Sequence, residues 1–554
     1  MIYPKIPLAQ SVIEICLAKG VTTIVLSPGS RNAPLILGFT TNPNFDCYSI
    51  ADERCAAFFA LGIAQQTNSV VAVVCSSGSA LLNYYPAFSE AFYSQIPLLV
   101  ISADRPQSKI DIGDGQTIRQ ENVFANHSLY NANLSQEASV ENDMHINKAI
   151  DAASYKKGPV HINVPFEEPL YQTVTALSVT PVITATAKTT PVIPAKELAG
   201  FATIWNNSAK KMVLVGVHPP NTIDAAVLAY LAKDPSVIVM TETTSNLHHS
   251  SFVEAIDSVI TPFTTQDFED FKPDILLTFG GMVVSKRIKA FLRSYQPEHH
   301  WHLDPLRAYD TFGVLTKHFE CSPNAFFALF LPLVATNAKS SYHAKMAAVV
   351  ALRKQKTAAY LATIPFSDFK VFEIVIASLP VGCQLQISNS SPIRYAQLLA
   401  IDPSIEVFCN RGTSGIDGST STAIGAAVAQ NKPTVFITGD IGFLYDSNAL
   451  WNMYIPKNFK IILINNGGGG IFRILPGHEE TPVFNTFFET THQLTAVHLA
   501  KMYGLNYQLV QDQAELESSL PDFFALQDAP AILEIRTPTL QNDLVLLQFF
   551  KELT

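Results

Sequence analysis

Short runs of β-branched and apolar residues alternate with helical patterns along most of this chain. Residues 8–19 have apolar positions at helical spacing, and residues 22–26 (TTIVL) follow as an apolar run that ends in Ser27-Pro28-Gly29-Ser30. Similar runs recur at 70–75, 98–102, 275–279, 434–438 and 460–464. Parallel strands need long crossover connections, usually helices, so this alternation indicates parallel sheets. The sequence therefore predicts an α/β fold with mainly parallel sheets flanked by helices.

The alternating pattern falls into three blocks. A chain of 554 residues is too long for a single hydrophobic core. Residues 171–194 are dominated by Thr, Val, Ala and Pro, which indicates an extended linker, and a polar patch at 336–341 marks a second boundary. We therefore predict three domains, at 1–175, 190–335 and 345–554, each with a central parallel sheet.

Composition and charge exclude several classes of function. A net charge of −10 argues against a nucleic-acid binder that relies on phosphate contacts. The chain has no apolar run of the about 20 residues that a membrane span needs, and its first residues lack the apolar core of a signal peptide. Its 7 cysteines are scattered without a C-x-x-C pair, which is typical of reduced thiols. We therefore expect a soluble, cytoplasmic protein.

The most specific pattern joins two strand ends in the last block. Gly439-Asp440 follows the run at 434–438, and Asn466 follows the run at 460–464. Open parallel sheets bind ligands at the carboxyl ends of their strands. Mg²⁺ takes one or two carboxylates beside phosphate and other oxygens. Each half alone is an ordinary turn sequence, but the pair at this spacing favours a metal–phosphate site. The sequence contains no P-loop, dinucleotide-binding glycine motif or nucleophile elbow.

Glu53 stands at the head of an apolar segment. After Arg54, residues 55–64 carry no charge, so the predicted helix is apolar on every side and should be buried against another domain or subunit. A carboxylate in that position is desolvated, which favours its protonated form or a hydrogen bond to a base. Alternatively, Glu53 complements the helix dipole. The residues alone leave both interpretations open.

The Asp–Asn pattern resembles the metal–diphosphate signature of thiamine-diphosphate enzymes. The resemblance implies that Asp440, Asn466 and the carbonyl of Gly468 bind Mg²⁺ or Mn²⁺. It implies that Glu53 hydrogen-bonds N1′ of the cofactor pyrimidine and promotes the imino tautomer that removes the thiazolium C2 proton. Ile441 stands where the family has a glycine, which leaves the ligands intact.

Further features are implied by the same resemblance. The two halves of the site come from different subunits in these enzymes, so we expect a homodimer or a dimer of dimers. Ile416 is expected to hold the cofactor in its bent conformation. The remaining implied cofactor contacts are Ser77, Gly78, Asn389, Ser390, Gly439, Ile441, Ile471 and Phe472.

Longer segments are similar to one group of these enzymes, the carboligases of menaquinone biosynthesis. The segments include SPGSRNAPL (27–35), ADER (51–54), ISADRP (101–106), GDGQTIRQ (113–120), NRGTSGIDG (410–418) and NNGGGGIFRILP (465–476). The similarity implies that 2-oxoglutarate is decarboxylated on the cofactor. The resulting succinic-semialdehyde carbanion equivalent then adds to isochorismate in a 1,4 sense.

The basic residues of these segments suit substrates that carry several carboxylates. Guanidinium groups bind carboxylates through two parallel hydrogen bonds, and their charge concentrates anions locally. Gln116 is expected next to the reacting centre. The substrate contacts implied by the resemblance are Ser30, Arg31, Arg105, Gln116, Lys286, Arg287, Ser390, Arg394, Arg411, Ile471, Phe472 and Leu475.

Three alternatives remain open at this point. An acetolactate-synthase-like carboligase or a 2-oxo acid decarboxylase would need fewer cationic residues. A catalytically inactive protein with the same fold should lack Glu53 or the metal ligands, and both are present. A flavin in the middle block is not excluded by pattern. The histidines of 299–302 could bind a transition metal, but no cysteine or carboxylate pattern completes such a site, so we interpret them as ordinary strand residues.

Overall fold

Three parallel sheets form the framework of the protein. The computed structural model describes residues 2–185, 193–430, 432–474, 477 and 479–554. Within each of the three large sheets every pair of neighbouring strands is parallel, so the predicted α/β class is confirmed. Part of the predicted linker, residues 186–192, lies outside the described residues.

The first block contains one six-stranded sheet. The strands of this block are β1 (Tyr3–Pro4), β2 (Thr23–Leu26), β3 (Asp46–Ser49), β4 (Val71–Cys75), β5 (Leu98–Asp104), β6 (Asn131–Asn133), β7 (Val160–Pro165) and β8 (Thr173–Val174). Its helices are α1 (Pro7–Ala18), α2 (Ala33–Thr41), α3 (Glu53–Thr67), α4 (Ser79–Asn83), α5 (Tyr85–Ser94) and α6 (Val140–Lys156). The sheet order is β3-β2-β4-β5-β7-β6, while β1 and β8 form a separate antiparallel pair.

The middle block contains a five-stranded sheet in the order β10-β9-β11-β12-β13. The strands are β9 (Lys211–Val215), β10 (Val237–Thr241), β11 (Ile275–Phe279), β12 (His299–Leu303) and β13 (Leu315–Phe319). The helices are α7 (Ala195–Asn207), α8 (Ala225–Lys233), α9 (Ile256–Ile260), α10 (Thr265–Phe271), α11 (Lys286–Ser294) and α12 (Pro323–Phe330). In β12, His300 and His302 both hydrogen-bond to the Thr278 hydroxyl, at 2.9 and 2.8 Å. Burial lowers the pKa of both rings to about 4, so they are neutral strand residues near pH 7.

The third block repeats the topology of the first without a repeat in its sequence. Its strands are β14 (Gln384–Ile387), β15 (Glu406–Phe408), β16 (Thr434–Gly439), β17 (Phe459–Asn465), β18 (Asn506–Val510) and β19 (Ala531–Arg536). Its helices are α13 (Tyr342–Leu361), α14 (Asp368–Ala377), α15 (Ser391–Ala396), α16 (Ser419–Ala429), α17 (Asp440–Tyr445), α18 (Pro482–Phe484), α19 (Val497–Tyr503), α20 (Gln513–Ala525) and α21 (Asn542–Glu552). The order β15-β14-β16-β17-β19-β18 follows the same connection pattern as the first sheet.

The first and third sheets share one hydrophobic core. Helix α3 packs on α16, and each helix follows the second strand of its own six-stranded sheet. A Cβ on Gly62 would lie 2.1 Å from the carbonyl oxygen of Thr422, and one on Gly425 would lie 2.0 Å from that of Phe59. The two helix backbones therefore touch. A single cluster of buried apolar side chains runs through both blocks.

Two further observations bear on the environment of the protein. Within the described ranges, none of the helices combines the length and apolar character needed to cross a membrane. All seven cysteines carry free thiols, and six of them are buried.

Candidate active site

The carboxyl ends of the strands carry most of the predicted site residues. In the first sheet, Ser30 and Arg31 follow β2, Ser77 and Gly78 follow β4, and Arg105 follows β5. Lys286 and Arg287 begin α11, after β11 of the middle sheet. In the third sheet, the residues are Asn389, Ser390 and Arg394 after β14, Arg411 and Ile416 after β15, Gly439, Asp440 and Ile441 at the end of β16, and Asn466 and Gly468 after β17.

The two halves of the Asp–Asn motif lie side by side. Asp440 is buried, with 4% of its surface exposed. One carboxylate oxygen accepts a hydrogen bond from the Ile441 amide at 2.7 Å. The other accepts from the amides of Gly467 and Gly468, at 2.9 and 3.0 Å. The carboxylate that ends β16 therefore holds the glycine loop that ends β17.

Asn466 fits the donor set that a hard metal ion requires. Its Nδ2 donates to Oδ2 of Asp368 at 2.9 Å, which turns its Oδ1 away from Asp368. That Oδ1 is buried and has no hydrogen-bond partner in the described structure. Burial and, to a smaller extent, the charge of Asp440 raise the pKa of Asp368 to about 6, although hydrogen bonds from Thr537 and Asn466 oppose this shift. A carboxylate, an amide oxygen and a backbone carbonyl match the oxygen ligands of Mg²⁺ or Mn²⁺ beside a diphosphate.

Glu53 is the first residue of α3, as the sequence predicts. Burial, followed by the charge of Glu53, raises the pKa of the Cys75 thiol well above its usual range, so the carboxylate lies near the end of β4. On either side of Glu53, Asp52 accepts from Nδ2 of Asn448 at 2.9 Å and Arg54 donates to the carbonyl of Tyr445 at 2.9 Å. The start of α3 thus meets the end of α17 within a single chain. The expected division of the site between two subunits remains a prediction.

Ser77, Gly78 and Gln116 meet at the edge of the first sheet. Ser77 Oγ donates to the backbone carbonyl of Gln116 at 2.9 Å. The amide of Gly78 donates to Oε1 of the buried Gln120 at 2.8 Å. Gln116 has a φ of 56°, which only a few non-glycine residues adopt, and it is exposed. The turn after β4 therefore holds the segment that carries Gln116.

Asn389 joins the strand ends of β14 and β15. Its Nδ2 donates to the carbonyls of Asn410 and Gly415, at 2.6 and 2.7 Å. Its Oδ1 accepts from Nη1 of Arg411 at 2.7 Å, while Nε of Arg411 is buried and finds no hydrogen-bond partner among the described residues. Asn389 therefore orients the Arg411 guanidinium. Ile416 follows in the same loop, and its Cβ would lie 3.8 Å from a Cβ built on Gly442.

Glu90 fixes the loop after Arg411 from the first block. It lies in α5 and is 1% exposed. Its carboxylate accepts from the amides of Gly412 and Thr413, at 2.7 and 2.6 Å. A buried carboxylate with two amide donors is well solvated by the protein. The Arg411 loop is therefore held by residues of two blocks.

Arg287 of the middle block and Arg394 of the third block act on the same carboxylate, that of Asp257. Lys286 and Arg287 are exposed at the start of α11, and the Arg287 guanidinium lies 4.6 Å from the ring centre of Phe550. Burial raises the pKa of Asp257, while a bond from Ser285 and the charges of Arg287 and Arg394 lower it. Charged residues of both blocks therefore lie near one half-buried carboxylate.

Arg31 and Arg105 occupy different surroundings. Arg31 is buried, donates to the carbonyl of Phe166 at 3.0 Å and forms an ion pair with Glu168. Arg105 Nε is buried without a hydrogen-bond partner in the described structure. Arg31 thus has protein partners for both terminal nitrogens, although its Nε, like that of Arg105, has no hydrogen-bond partner among the described residues. Ser30, between β2 and Arg31, is exposed.

The predicted apolar wall lies on a short 3-10 helix, Gly470–Ile474. Ile471 and Phe472 are half-buried there, and the buried Arg473 pairs with both carboxylate oxygens of the buried Glu489. This ion pair fixes the wall to the segment before α19. Leu475 lies outside the described residues.

We expect the substitution Glu242→Gln to remove a pH dependence of stability. Glu242 accepts from the amides of Val284 and Ser285, both at 2.7 Å, and so holds the loop before Lys286. Burial, opposed by these bonds, raises its pKa from 4.5 to about 7. Between these values the folded state binds more protons at Glu242 than the unfolded state, so wild-type stability falls as pH rises. The free energy of unfolding of the variant relative to wild type should rise over this window, by on the order of 3 kcal/mol at most, and stay constant above it.

Urea denaturation at about pH 5, 6, 7 and 8 measures this difference. Glu298→Gln is the control because the Glu298 side chain is 80% exposed. A difference between Glu242→Gln and wild type that does not change with pH would contradict the expectation.

Sequence reasoning missed several carboxylates and one histidine of the site. Most of them act on backbone amides or side chains far away in sequence, so no local pattern marks them. Glu90 is the exception, since a lone charge in the apolar segment 87–92 was a usable signal. The missed residues are Glu90, Glu242, Asp257, Asp368 and His492.

Comparison with known families agrees with the geometry. Residues 6–128 match the thiamine pyrophosphate enzyme, N-terminal TPP binding domain, and residues 390–535 match the C-terminal TPP binding domain of the same enzymes. These ranges fall on the two six-stranded sheets whose strand ends carry Glu53 and Asp440. Fold and site together define a thiamine-diphosphate enzyme.

Full-length relatives narrow the assignment. The chain is 67% identical to 2-succinyl-5-enolpyruvyl-6-hydroxy-3-cyclohexene-1-carboxylate synthase of Flavobacterium johnsoniae, over 100% of both chains. It is 65% identical to the synthase of Flavobacterium psychrophilum over 100% of both chains, and 50% identical to that of Christiangramia forsetii over 99% of both. The chain belongs to the 2-succinyl-5-enolpyruvyl-6-hydroxy-3-cyclohexene-1-carboxylate synthase family.

Proposed function

We propose that this chain decarboxylates 2-oxoglutarate and adds the remaining four-carbon unit to isochorismate in a 1,4 sense. The products are 2-succinyl-5-enolpyruvyl-6-hydroxy-3-cyclohexene-1-carboxylate and CO₂, in menaquinone (vitamin K2) biosynthesis. The observation that carries the proposal is the 67% identity to a synthase of that name over the whole chain. The reaction is that of a transferase.

The proposed cofactors are thiamine diphosphate and Mg²⁺ or Mn²⁺. Thiamine diphosphate, when bound, supplies the carbon centre that accepts the electrons released as CO₂ leaves a 2-oxo acid. Asp440, the free Oδ1 of Asn466 and the carbonyl of Gly468 would hold the metal ion against the diphosphate. Gly439 and Ile441 flank Asp440 and contribute backbone contacts. Support for the metal comes from the donor set, which contains only oxygens.

Glu53 would hold a proton at N1′ of the pyrimidine. Its position at the start of α3, beside the end of α17, brings a carboxylate of the first block to the third block. Ser77 and Gly78 would bind the same end of the cofactor. Gln116 would hydrogen-bond the substrate next to the reacting carbon, since its backbone is fixed and its side chain is exposed.

The basic residues would orient the carboxylates of both substrates. Arg411 is oriented by Asn389, its Nε has no partner in the part of the chain that the structure describes, and Arg394 is exposed one loop away. Lys286 and Arg287 approach from the middle block. Such guanidinium groups suit substrates with two carboxylates far better than pyruvate, which has one. The other contacts proposed for the pocket are Ser30, Arg31, Arg105, Ser390, Ile471, Phe472 and Leu475.

Assembly and location complete the proposal. We propose a cytoplasmic homodimer, or a dimer of dimers, on the basis of the family resemblance. Seven free thiols are compatible with a reducing compartment.

The reaction itself gives the direct test. Purified protein with thiamine diphosphate and Mg²⁺ should consume isochorismate and release CO₂ from 2-oxoglutarate in equal amounts, and removal of the metal by a chelator should stop both. Consumption of isochorismate is followed by absorbance and CO₂ by a coupled assay. Efficient turnover of pyruvate with no turnover of 2-oxoglutarate would instead indicate an acetolactate-synthase-like enzyme.

A further inference from the structure

His492 faces the carboxylate of Asp440 from the segment that follows Glu489. Its Nε2 lies 3.4 Å from Oδ2 of Asp440, and its side chain is 12% exposed. This distance is longer than an ordinary N–H···O hydrogen bond. Nε2 is buried and has no hydrogen-bond partner in the part of the chain that the structure describes. A buried nitrogen without a partner is uncommon in folded proteins and requires an explanation, such as a bound ligand.

The backbone determines which ring nitrogen of His492 carries the proton. The amide of Leu494 donates to Nδ1 at 3.1 Å, so Nδ1 presents its lone pair. In a neutral imidazole the other nitrogen then carries the hydrogen. Nε2 is therefore a donor, which cannot coordinate a metal ion and needs an acceptor instead.

The ring is held in this place by the glycine loop of the metal site. The amide of His492 donates to the carbonyl of Gly467 at 2.9 Å, and the amide of Gly469 donates to the carbonyl of Glu489 at 2.6 Å. Glu489 is in turn fixed by the buried Arg473. The backbone of His492 is therefore tied to the loop that contacts Asp440.

Among the described residues, no group supplies the acceptor that Nε2 of His492 needs. Oδ2 of Asp440 already accepts from two backbone amides, those of Gly467 and Gly468. A diphosphate offers several further oxygens at the place where Asp440 and Asn466 would hold its metal ion. Hydrogen bonds to such anionic oxygens are shorter and stronger than those between neutral groups.

We propose that His492 is a further anchoring residue of the cofactor, donating from Nε2 to a diphosphate oxygen. The proposal rests on the cofactor site proposed above. Loss of one hydrogen bond to a charged group should weaken binding of thiamine diphosphate by about tenfold or more. The effect should be the same for inorganic diphosphate, because the contact is to the diphosphate alone.

Two substitutions separate this role from local structure. His492→Asn keeps an acceptor near the position of Nδ1 for the Leu494 amide but has no group at the position of Nε2. His492→Gln places an amide donor near Nε2 and gives up the bond to Leu494. We expect the Asn variant to lose about tenfold or more in affinity and the Gln variant to stay within about threefold of wild type.

Dissociation constants of thiamine diphosphate and of inorganic diphosphate, each with excess Mg²⁺, are measured by isothermal titration calorimetry on the full chain. His498→Asn is the matched control because His498 is exposed on α19. Equal affinities of the Asn variant and wild type, or weaker binding by the Gln variant than by the Asn variant, would overturn the role of His492.

The variant Asp440→Ala distinguishes an error in the His492 proposal from an error in the proposed cofactor site as a whole. If Asp440→Ala binds thiamine diphosphate as wild type does, the proposed cofactor site is wrong. If Asp440→Ala loses binding while His492→Asn keeps it, the cofactor site stands and only the His492 proposal is wrong.

Discussion

Replacement of Glu53 by glutamine should reduce turnover by about 10²- to 10⁴-fold, the usual contribution of a group that transfers a proton. Glutamine has nearly the same size as glutamate and cannot hold the acidic proton that we assign to the pyrimidine N1′. The start of α3 should keep its position, because it is fixed by Asp52 and Arg54 on the end of α17. Affinity for thiamine diphosphate should therefore stay within about threefold of wild type. Steady-state kinetics and calorimetric titration measure the two quantities.

The same experiment decides between the two interpretations of Glu53 that the sequence leaves open. A glutamate that only complements a helix dipole contributes about 0.3–1 kcal/mol to stability and nothing to turnover. Glu141→Gln is the matched control, because Glu141 is an exposed acidic residue in the first turn of α6. If Glu53→Gln behaved like Glu141→Gln in kinetics, Glu53 would have no part in the reaction.

Asp440→Ala should lower the affinity for thiamine diphosphate and Mg²⁺ by more than about 100-fold and abolish measurable activity. The substitution removes a proposed metal ligand. It also leaves three backbone amides, those of Ile441, Gly467 and Gly468, without their acceptor. One substitution therefore removes a proposed metal ligand and also the contact that holds the glycine loop after β17. Calorimetric titration at several Mg²⁺ concentrations measures the change.

Asp446→Asn is the control for general damage to the third block. Asp446 is fully buried six residues further on, where its carboxylate accepts from the amide and hydroxyl of Ser421. We expect its variant to unfold at a lower temperature yet to bind the cofactor with the wild-type affinity. Full cofactor binding by Asp440→Ala would remove Asp440 from the metal site.

The central strands could be predicted from the sequence because both of their faces are buried. Strand β11 occupies residues 275–279, as predicted, and β16 and β17 each differ from the prediction by a residue or two at the ends. The edge strands β3 and β6 could not be predicted, since DCYS and NAN carry no apolar run. Such strands form because a neighbouring strand offers hydrogen-bond partners, which is a property of the tertiary structure.

Only those parts of the site that lie within local sequence motifs could be predicted. The strand-end positions of Asp440 and Asn466 follow from pattern, and the structure places the two segments in contact. The support of the Arg411 loop by Glu90 could not be foreseen, because the two residues are more than 300 positions apart. The individual roles that the family resemblance assigns to site residues stay predictions until the variants are measured.

The core shared by the first and third sheets limits how ligands enter and leave. Separation of α3 from α16 would break the backbone contacts at Gly62 and Gly425 and expose a large apolar surface to water. The first and third blocks of one chain should therefore move as a single body. We expect the motion that admits and releases ligands to lie in short irregular segments such as Gly470–Ile474 and Asn485–Glu489, not between the two blocks. Substitutions in Asn485–Glu489 should therefore change the rate of ligand exchange.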